Sequence, residues 1–132
     1  MPAKRATVEA AAGTQSVAAQ KTLTCAVIRA AEILEVAQGE LAGILGLSPA
    51  TVSRMASGSY LLHPGRKEWE LAALFVRLFR SLDTIAGGHD EVSRAWLRNH
   101  NRALAAVPAA LLGRIDSFLR VVEYLDASRA RI

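Results

Sequence analysis

Three observations predict an all-α fold for this chain. Apolar residues recur at helical spacing over long stretches, and no stretch alternates apolar and polar residues as a half-buried strand would. Only 5% of the residues are aromatic, whereas alanine and leucine are abundant, which favours helices over sheets. Hydrophobic residues make up 52% of the 132-residue chain, enough to bury a core. We therefore expect a small helical protein.

The N-terminal segment shows no helical pattern until Thr22. Residues 1–20 are rich in alanine, are interrupted by glycine and small polar residues, and carry no sustained apolar stripe. We expect them to form a flexible tail. From Thr22 onward, Leu23, Val27 and Leu34 repeat at helical spacing and predict the first helix.

Residues 38–58, QGELAGILGLSPATVSRMASG, carry the pattern of a helix-turn-helix. Ala42 is small where the two helices cross, and Gly46 lies four residues later, where the turn needs a positive φ. Val52 and Met55 supply apolar contacts that pack the second helix on the first. The register of these positions predicts a DNA-binding motif, with a purely structural helical hairpin as the alternative.

The second helix of this motif is expected to enter the major groove of DNA. Ser48 supplies an N-cap oxygen and Pro49 a residue suited to the first turn. Arg54 can read a guanine through two hydrogen bonds or hold a phosphate, and Gln38 begins the first helix, where phosphate oxygens often bind. Arg66 and Lys67 can add phosphate contacts, although a solvated helix start explains them almost as well. The candidate DNA contacts are Gln38, Ser48, Pro49, Ala50, Thr51, Ser53, Arg54 and Lys67.

Residues 66–85 form the strongest predicted helix, with two adjacent apolar faces. We expect the DNA-binding part to cover one face, and either the C-terminal segment or a second copy of the protein to cover the other. This breadth of apolar surface motivates the prediction of a homodimer, which a palindromic operator also requires. The first face comprises Leu71, Leu74, Phe75, Leu78, Leu82 and Ile85, and the second comprises Trp69, Ala72, Val76 and Phe79.

Two further helices are predicted after Gly87-Gly88. One begins at Asp90 and continues through Trp96-Leu97, and residues 99–107 read as a polar turn followed by a short apolar stretch. Pro108 is expected to begin the last helix. Its apolar stripe comprises Leu111, Ile115, Phe118, Val122 and Leu125, widened by Leu112 and Leu119.

The charge of the chain suits a phosphate backbone without indicating one by itself. The formal net charge is +4, and the basic excess is spread evenly: residues 1–66 hold six Lys/Arg against four Asp/Glu, and residues 67–132 hold ten against eight. No apolar run reaches the roughly twenty residues that span a membrane, and the N-terminus lacks the apolar core of a signal peptide. We expect a cytoplasmic protein.

The chain carries no pattern typical of an enzyme. Cys25 is the only cysteine, and its spacing from His63, His89 and His100 fits no zinc module. We expect Cys25 to pack as a small apolar residue on the first helix. No glycine-rich phosphate loop, nucleophile elbow or paired carboxylates occur, so we predict no catalytic residues, no metal and no cofactor.

Three segments of the second half contain a recurring combination of motifs: RAWLRNHNRAL (94–104), VPAALL (107–112) and FLRVVEYLDASRARI (118–132). The combination resembles the MbcA/ParS/Xre antitoxin family, whose members join an Xre-like helix-turn-helix to a C-terminal toxin-binding domain. The resemblance covers roughly residues 22–132. It implies a helix-turn-helix region at 21–65 packed on a helical toxin-binding domain at 66–132. The matching positions are Trp96-Leu97, Asn101, Ala103-Leu104, Pro108, Val122, Tyr124-Leu125-Asp126 and Arg129.

The resemblance implies the antitoxin of a type II toxin–antitoxin system. Its partner would be a RES-domain toxin, which destroys cellular NAD, and the antitoxin would deny NAD access to the toxin's active site. The helix-turn-helix would repress the operon that encodes both proteins. The implied toxin contacts are Tyr124, Asp126, Ser128, Arg129, Arg131 and Ile132. Two alternatives remain: a stand-alone regulator with a ligand- or protein-sensing C-terminal half, and a toxin inhibitor that no longer binds DNA.

Two positions depart from the pattern of the family. Ala105-Ala106 stands where many relatives carry Gly-Gly, and Ser117 stands near a common glycine of the last helix. Both changes are expected to favour helix locally without altering the fold.

Overall fold

A computed structural model describes the backbone of residues 2–131 and the side chains of residues 16–131. These residues form six α-helices and one short 3₁₀ helix, and their only strand-like pairing is an isolated bridge between Asn101 and Ala106. The all-α prediction is confirmed. The α-helices are α1 (Pro2–Ile33), α2 (Gln38–Leu45), α3 (Pro49–Ser57), α4 (Lys67–Ile85), α5 (Asp90–Arg98) and α6 (Ile115–Arg129), with the 3₁₀ helix at Pro108–Leu111.

Helix α1 begins far earlier than the periodicity indicated. Its backbone is helical from Pro2, where we expected a tail over residues 1–20 and a helix only from Thr22. Alanine has the highest helix propensity of all residues, so a segment without an apolar stripe can still adopt a helix. At residue 20 this helix already contacts the fold, because Gln20 Nε2 donates to the carbonyl of Leu62 at 2.9 Å.

Helix α4 lies at the centre of the molecule. It packs against α1 and α2, and most extensively against α6. Of the two partners considered, the C-terminal segment of the same chain therefore packs on α4, beside Leu71 and Leu74 of the first face, whereas Trp69 and Val76 of the second face lie beside α1. Phe75 of α4 and Phe118 of α6 are fully buried. Leu71 and Leu74 remain only partly buried.

The last helix starts later than predicted. Pro108 begins the 3₁₀ helix, which ends at Leu111, and α6 begins at Ile115 after a turn that contains Gly113. The predicted stripe is wrong at two positions of α6. Ile115 is 62% exposed and Leu119 is 41% exposed. The remaining stripe positions of α6 are buried, together with Val121, which the stripe omitted.

The loop between α5 and the 3₁₀ helix corrects the expectation for Ala105-Ala106. Ala105 has φ +56°, in the left-handed region, and Ala106 pairs with Asn101 across the bridge. Asn101 Oδ1 also accepts from the backbone N–H of Leu104 at 3.1 Å. The loop is therefore a tight turn and does not favour helix, and the left-handed φ of Ala105 is one that glycine adopts more readily than alanine.

Ser117, which stands near a common glycine of the family's last helix, makes hydrogen bonds of its own. Its Oγ donates to the carbonyl of Leu111 at 2.6 Å and lies 3.3 Å from the carbonyl of Arg114. The hydroxyl thereby links the first turn of α6 to the end of the 3₁₀ helix.

Ala105→Gly is expected to raise the free energy of unfolding by up to about 1 kcal/mol. An alanine in the left-handed region costs about 1–2 kcal/mol, part of which the extra entropy of an unfolded glycine offsets. Urea unfolding of the two proteins checks the value. Ala106→Gly is the matched control, since Ala106 has no positive φ and its replacement is expected to destabilise. Equal destabilisation by both substitutions would contradict the assigned strain.

Candidate DNA-binding and toxin-binding surfaces

The helix-turn-helix has the geometry that its sequence predicts. Gly46 ends α2 with φ +68°, and Ser48 caps α3 by accepting from the backbone N–H of Thr51 at 3.1 Å. Ala42 is buried at the crossing of the helices, and Val52 and Met55 are buried beneath α3. The motif therefore holds α3 on α2 and leaves the other face of α3 exposed.

The exposed face of α3 brings most of the predicted DNA contacts together. Ser48, Pro49, Ala50, Ser53 and Arg54 are exposed there. Thr51 is half-buried between them. The six residues span the first turns of α3, the part of a recognition helix that meets base edges.

Hydrogen bonds within α3 order this surface. The hydroxyl of Thr51 lies 2.9 Å from Ser48 Oγ and accepts from Arg54 Nη2 at 3.2 Å. The guanidinium of Arg54 is thus positioned before any ligand binds, and its remaining N–H groups stay available.

Gln38 and Lys67 lie outside α3. Each is exposed and is the first residue of its helix, α2 and α4 respectively. Lys67 lies beside Leu71, Leu74 and Ile115. Its role as a phosphate contact remains a prediction.

A buried carboxylate holds the loop that follows α3. Glu68 is only 5% exposed, and its two oxygens accept from the hydroxyl of Tyr60 at 3.0 and 2.8 Å. Glu68 Oε2 also accepts from the backbone N–H of His63 at 3.2 Å. Burial and the neighbouring carboxylate raise the pKa of Tyr60. This cluster could not be predicted from the sequence, because a glutamate in the first turn of a helix ordinarily faces solvent.

Glu68→Ala is expected to lower the free energy of unfolding by about 1–3 kcal/mol. The substitution leaves a half-buried hydroxyl and a loop N–H without an acceptor. Thermal and urea unfolding measure the loss. Glu70→Ala is the matched control, because Glu70 is exposed on the same helix and is expected to change stability by less than about 0.5 kcal/mol. An effect of the same size at both positions would exclude the role assigned to Glu68.

Four of the predicted toxin contacts, Tyr124, Asp126, Ser128 and Arg129, lie on the second half of α6, and the fold uses some of them. Asp126 accepts from Ser81 Oγ at 2.8 Å and forms an ion pair with Arg77, both on α4. Ser128 Oγ donates to the carbonyl of Tyr124 at 2.9 Å. These two residues therefore stabilise the end of α6 as well as lying near its surface.

Other predicted contacts remain open to a partner. Tyr124 is half-buried and stacks on Trp96 of α5, with ring centroids 6.3 Å apart and an interplanar angle of 19°. Arg129 and Arg131 are exposed. Ile132 lies outside the described residues.

Arg129 also borders a groove between α1 and α4 that the sequence analysis did not predict. The groove encloses about 610 Å³ over an apolar floor that includes Leu23, Trp69 and Val76. Arg77 and Arg80 lie at its edge with Arg129.

Helix α5 is bonded to the helix-turn-helix by two arginines. Arg98 forms a bidentate pair with Glu40 of α2 at 2.8 and 2.9 Å, and Arg94 Nε donates to the carbonyl of Ile33, the last residue of α1, at 2.7 Å. Glu40 Oε1 also accepts from the backbone N–H of Ala37, the N-cap residue of α2. The hydrogen bonds from Arg98 lower the pKa of Glu40, and the same bonds raise the pKa of Arg98.

This pair predicts a dependence of stability on pH. Because the folded protein lowers the pKa of Glu40 below its ordinary value of 4.5, the pair stabilises the fold above that pH. The contribution is lost as the pH falls through the folded value. For a half-exposed pair we expect at most about 1 kcal/mol. Unfolding measured at about pH 6 and about pH 3 should show a smaller pH effect in Arg98→Ala than in the wild type. An identical pH effect in both would contradict the assignment.

Two family models match adjacent parts of the chain. The antitoxin Xre-like helix-turn-helix domain matches residues 6–77, and the antitoxin Xre/MbcA/ParS C-terminal toxin-binding domain matches residues 81–131. The chain belongs to the Xre/MbcA/ParS antitoxin family. The resemblance noted in the sequence is confirmed. The first match ends and the second begins within α4, whereas the predicted boundary at residues 65–66 precedes α4 and stays a prediction. A comparison with curated proteins gives no match.

Membership of this family assigns two binding roles to the protein. Its domains are those of an antitoxin that contacts DNA and a toxin, and they are regulatory rather than enzymatic. Cys25, expected to pack as an apolar residue, is exposed. Within the described residues, no cluster of three His, Cys, Asp or Glu side chains is placed to hold a metal ion. No helix among them combines the length and apolarity that crossing a membrane requires.

Proposed function

We propose that this antitoxin neutralises a RES-domain toxin by covering the active site where the toxin degrades NAD, and that it represses its own operon. The observation that carries the proposal is the presence, in one chain, of an exposed and ordered recognition helix and a matched toxin-binding domain. Both activities belong in the cytoplasm, where the promoter and the NAD pool are accessible.

The exposed face of α3 supports the role in repression. Arg54 offers donors for a base edge or a phosphate, and Ala50 and the methyl group of Thr51 are small enough to lie against a thymine methyl. A homodimer would present two such helices about 34 Å apart to a palindromic operator.

The end of α6 supports the role in toxin binding. Arg129 and Arg131 are exposed near the C-terminus, and the half-buried Tyr124 stacks on Trp96. Arginine and tyrosine side chains of this kind often dominate protein–protein interfaces. We propose that this end of the molecule enters the cleft of the toxin.

Binding of the purified protein to the promoter fragment of its own operon tests the repression role. We expect the affinity to fall steeply with salt, because phosphate contacts release counterions. A scrambled fragment of equal length is the control and should bind more weakly at every salt concentration. Equal affinity for both fragments would contradict operator recognition.

A further inference from the structure

Arg54 is the only lysine, arginine, aspartate or glutamate in residues 41–65, the stretch that contains α3 and the turns on both sides of it. Its side chain is exposed, and no carboxylate of this stretch competes for its positive charge. A long side chain of this kind ordinarily loses conformational entropy when a ligand fixes it. The neighbours of Arg54 therefore decide how well it is prepared for DNA.

A neutral acceptor orients the guanidinium of Arg54. Thr51 precedes it by three residues and so lies on the same face of α3, where Thr51 Oγ1 accepts from Arg54 Nη2 at 3.2 Å. Ser48, one turn earlier, holds Thr51 in turn: their hydroxyl oxygens are 2.9 Å apart, and Ser48 Oγ accepts from the backbone N–H of Thr51 at 3.1 Å. This line of hydrogen bonds orients the cation without neutralising its charge.

The main chain of Arg54 is fixed as well. Its carbonyl accepts from the backbone N–H groups of Ser59 at 2.9 Å and Tyr60 at 3.2 Å. Gly58, with φ +84°, ends α3 in the left-handed conformation that brings these N–H groups back to the helix. Arg54 is therefore held at its backbone by the end of α3 and at its guanidinium by Thr51.

The hydrogen bond to Thr51 leaves a complete pair of parallel donors on Arg54. A planar guanidinium carries five N–H groups, and Nη2 holds two of them. One Nη2 hydrogen is parallel to the Nε hydrogen, and the other is parallel to a hydrogen of Nη1. Whichever one Thr51 accepts, the second remains beside its parallel neighbour. Such a pair matches the O6 and N7 acceptors that guanine presents in the major groove, whereas adenine presents an amino donor beside its N7.

We infer that Thr51 is a positioning residue that fixes Arg54 to read a guanine of the operator. The inference rests on the proposed function, because it assigns a base to the recognition helix of a repressor. A phosphate accepts hydrogen bonds over a wide range of directions, so a contact with it gains little from a fixed guanidinium. A guanine edge accepts two hydrogen bonds in the plane of the base, so an arginine that is already oriented binds it with a smaller loss of entropy.

Two substitutions separate the hydroxyl of Thr51 from its methyl group. Thr51→Val keeps the branched shape and the backbone N–H that donates to Ser48, but removes the acceptor for Arg54. Thr51→Ser keeps the hydroxyl and removes the methyl group. We expect Thr51→Val to bind the promoter fragment about two- to tenfold more weakly, the cost of ordering one long side chain, and Thr51→Ser to bind like the wild type. The opposite order would indicate a methyl contact with thymine and overturn the inference.

The base that Arg54 contacts is identified with 7-deazaguanine, which pairs normally but lacks the N7 acceptor. Guanines of the promoter fragment are replaced one at a time. We expect at least one replacement to weaken binding of the wild type and of Thr51→Ser. The same replacement should weaken binding of Thr51→Val less and leave binding of Arg54→Ala unchanged. A wild type that tolerates every replacement would contradict the guanine contact.

The double variant Thr51→Val, Arg54→Ala tests whether Thr51 acts through Arg54. We expect it to bind the promoter fragment no more weakly than Arg54→Ala alone, because Thr51 then has no guanidinium to orient. Additive losses would overturn the inference. In the free protein, NMR relaxation of the Arg54 Nε–H group should report an ordered side chain in the wild type and a mobile one in Thr51→Val. Equal mobility in both would exclude the positioning role.

Comparison with a scrambled fragment distinguishes this inference from the proposed function. If the wild type binds both fragments equally, the repressor role fails, and guanine recognition fails with it. If the wild type prefers the promoter fragment but Thr51→Val retains wild-type affinity and the full effect of 7-deazaguanine, the repressor role stands and the inference is wrong.

Discussion

Arg54→Ala is expected to weaken operator binding by about 1–3 kcal/mol, roughly a tenfold to hundredfold loss of affinity. Arg54 is exposed on the recognition helix, and Thr51 orients its guanidinium. Its removal deletes donors that are already positioned for DNA and leaves the buried face of α3 intact. Toxin neutralisation should survive, because α3 lies outside the matched toxin-binding domain.

Two matched variants show what Arg54 contributes. Arg54→Lys keeps the positive charge but lacks the planar pair of donors. The variant should therefore bind like the wild type if Arg54 contacts a phosphate, and more weakly if Arg54 forms a bidentate contact with a base. Arg102→Ala removes one positive charge from an exposed loop position, and should reduce affinity by far less. Equal losses for Arg54→Ala and Arg102→Ala, measured by titration of the promoter fragment, would mean that Arg54 acts only through net charge.

Deleting residues 128–132 is expected to abolish protection against the toxin while DNA binding remains. The deletion removes the arginines at the end of α6 and preserves Asp126, whose bonds to Arg77 and Ser81 fasten α6 to α4. A cut before Asp126 would confound lost toxin contacts with a loosened fold. The choice of end point therefore follows from the structure.

Survival of cells that express the toxin measures this effect. The truncated protein is compared with Arg129→Ala, Arg131→Ala, which removes the two cationic side chains and keeps the backbone. We expect both variants to bind the promoter fragment with wild-type affinity and to fail in rescue. Full rescue by the truncated protein would exclude the C-terminal residues as the element that blocks the toxin.

Local sequence signals predicted the helix-turn-helix well. Gly46, Ser48 and Pro49 act through their own backbone preferences and a hydrogen bond three residues away, so their roles can be read without knowledge of the tertiary fold. The same holds for the burial of Val52 and Met55, which follows from helical spacing.

Features that depend on contacts distant in the chain were not predictable in this way. The burial of Glu68 depends on Tyr60 and on a loop whose path the sequence does not reveal. Asp126 was predicted to contact the toxin, although its carboxylate also accepts a hydrogen bond from Ser81 of α4. Ile115 and Leu119 were placed with the apolar stripe by helical spacing, but Ile115 is the first residue of α6 and both side chains are exposed. Helical spacing alone does not show where the neighbouring helix stops covering α6.

Co-expression with the product of the adjacent gene tests the central claim most directly. The tagged antitoxin is purified from the cells, the bound protein is identified, and cellular NAD is measured with and without the antitoxin. We predict a stable complex with a RES-domain protein, and a collapse of NAD only when the antitoxin is absent or lacks residues 128–132. Absence of a complex, together with NAD levels that do not depend on the antitoxin, would contradict the proposed function.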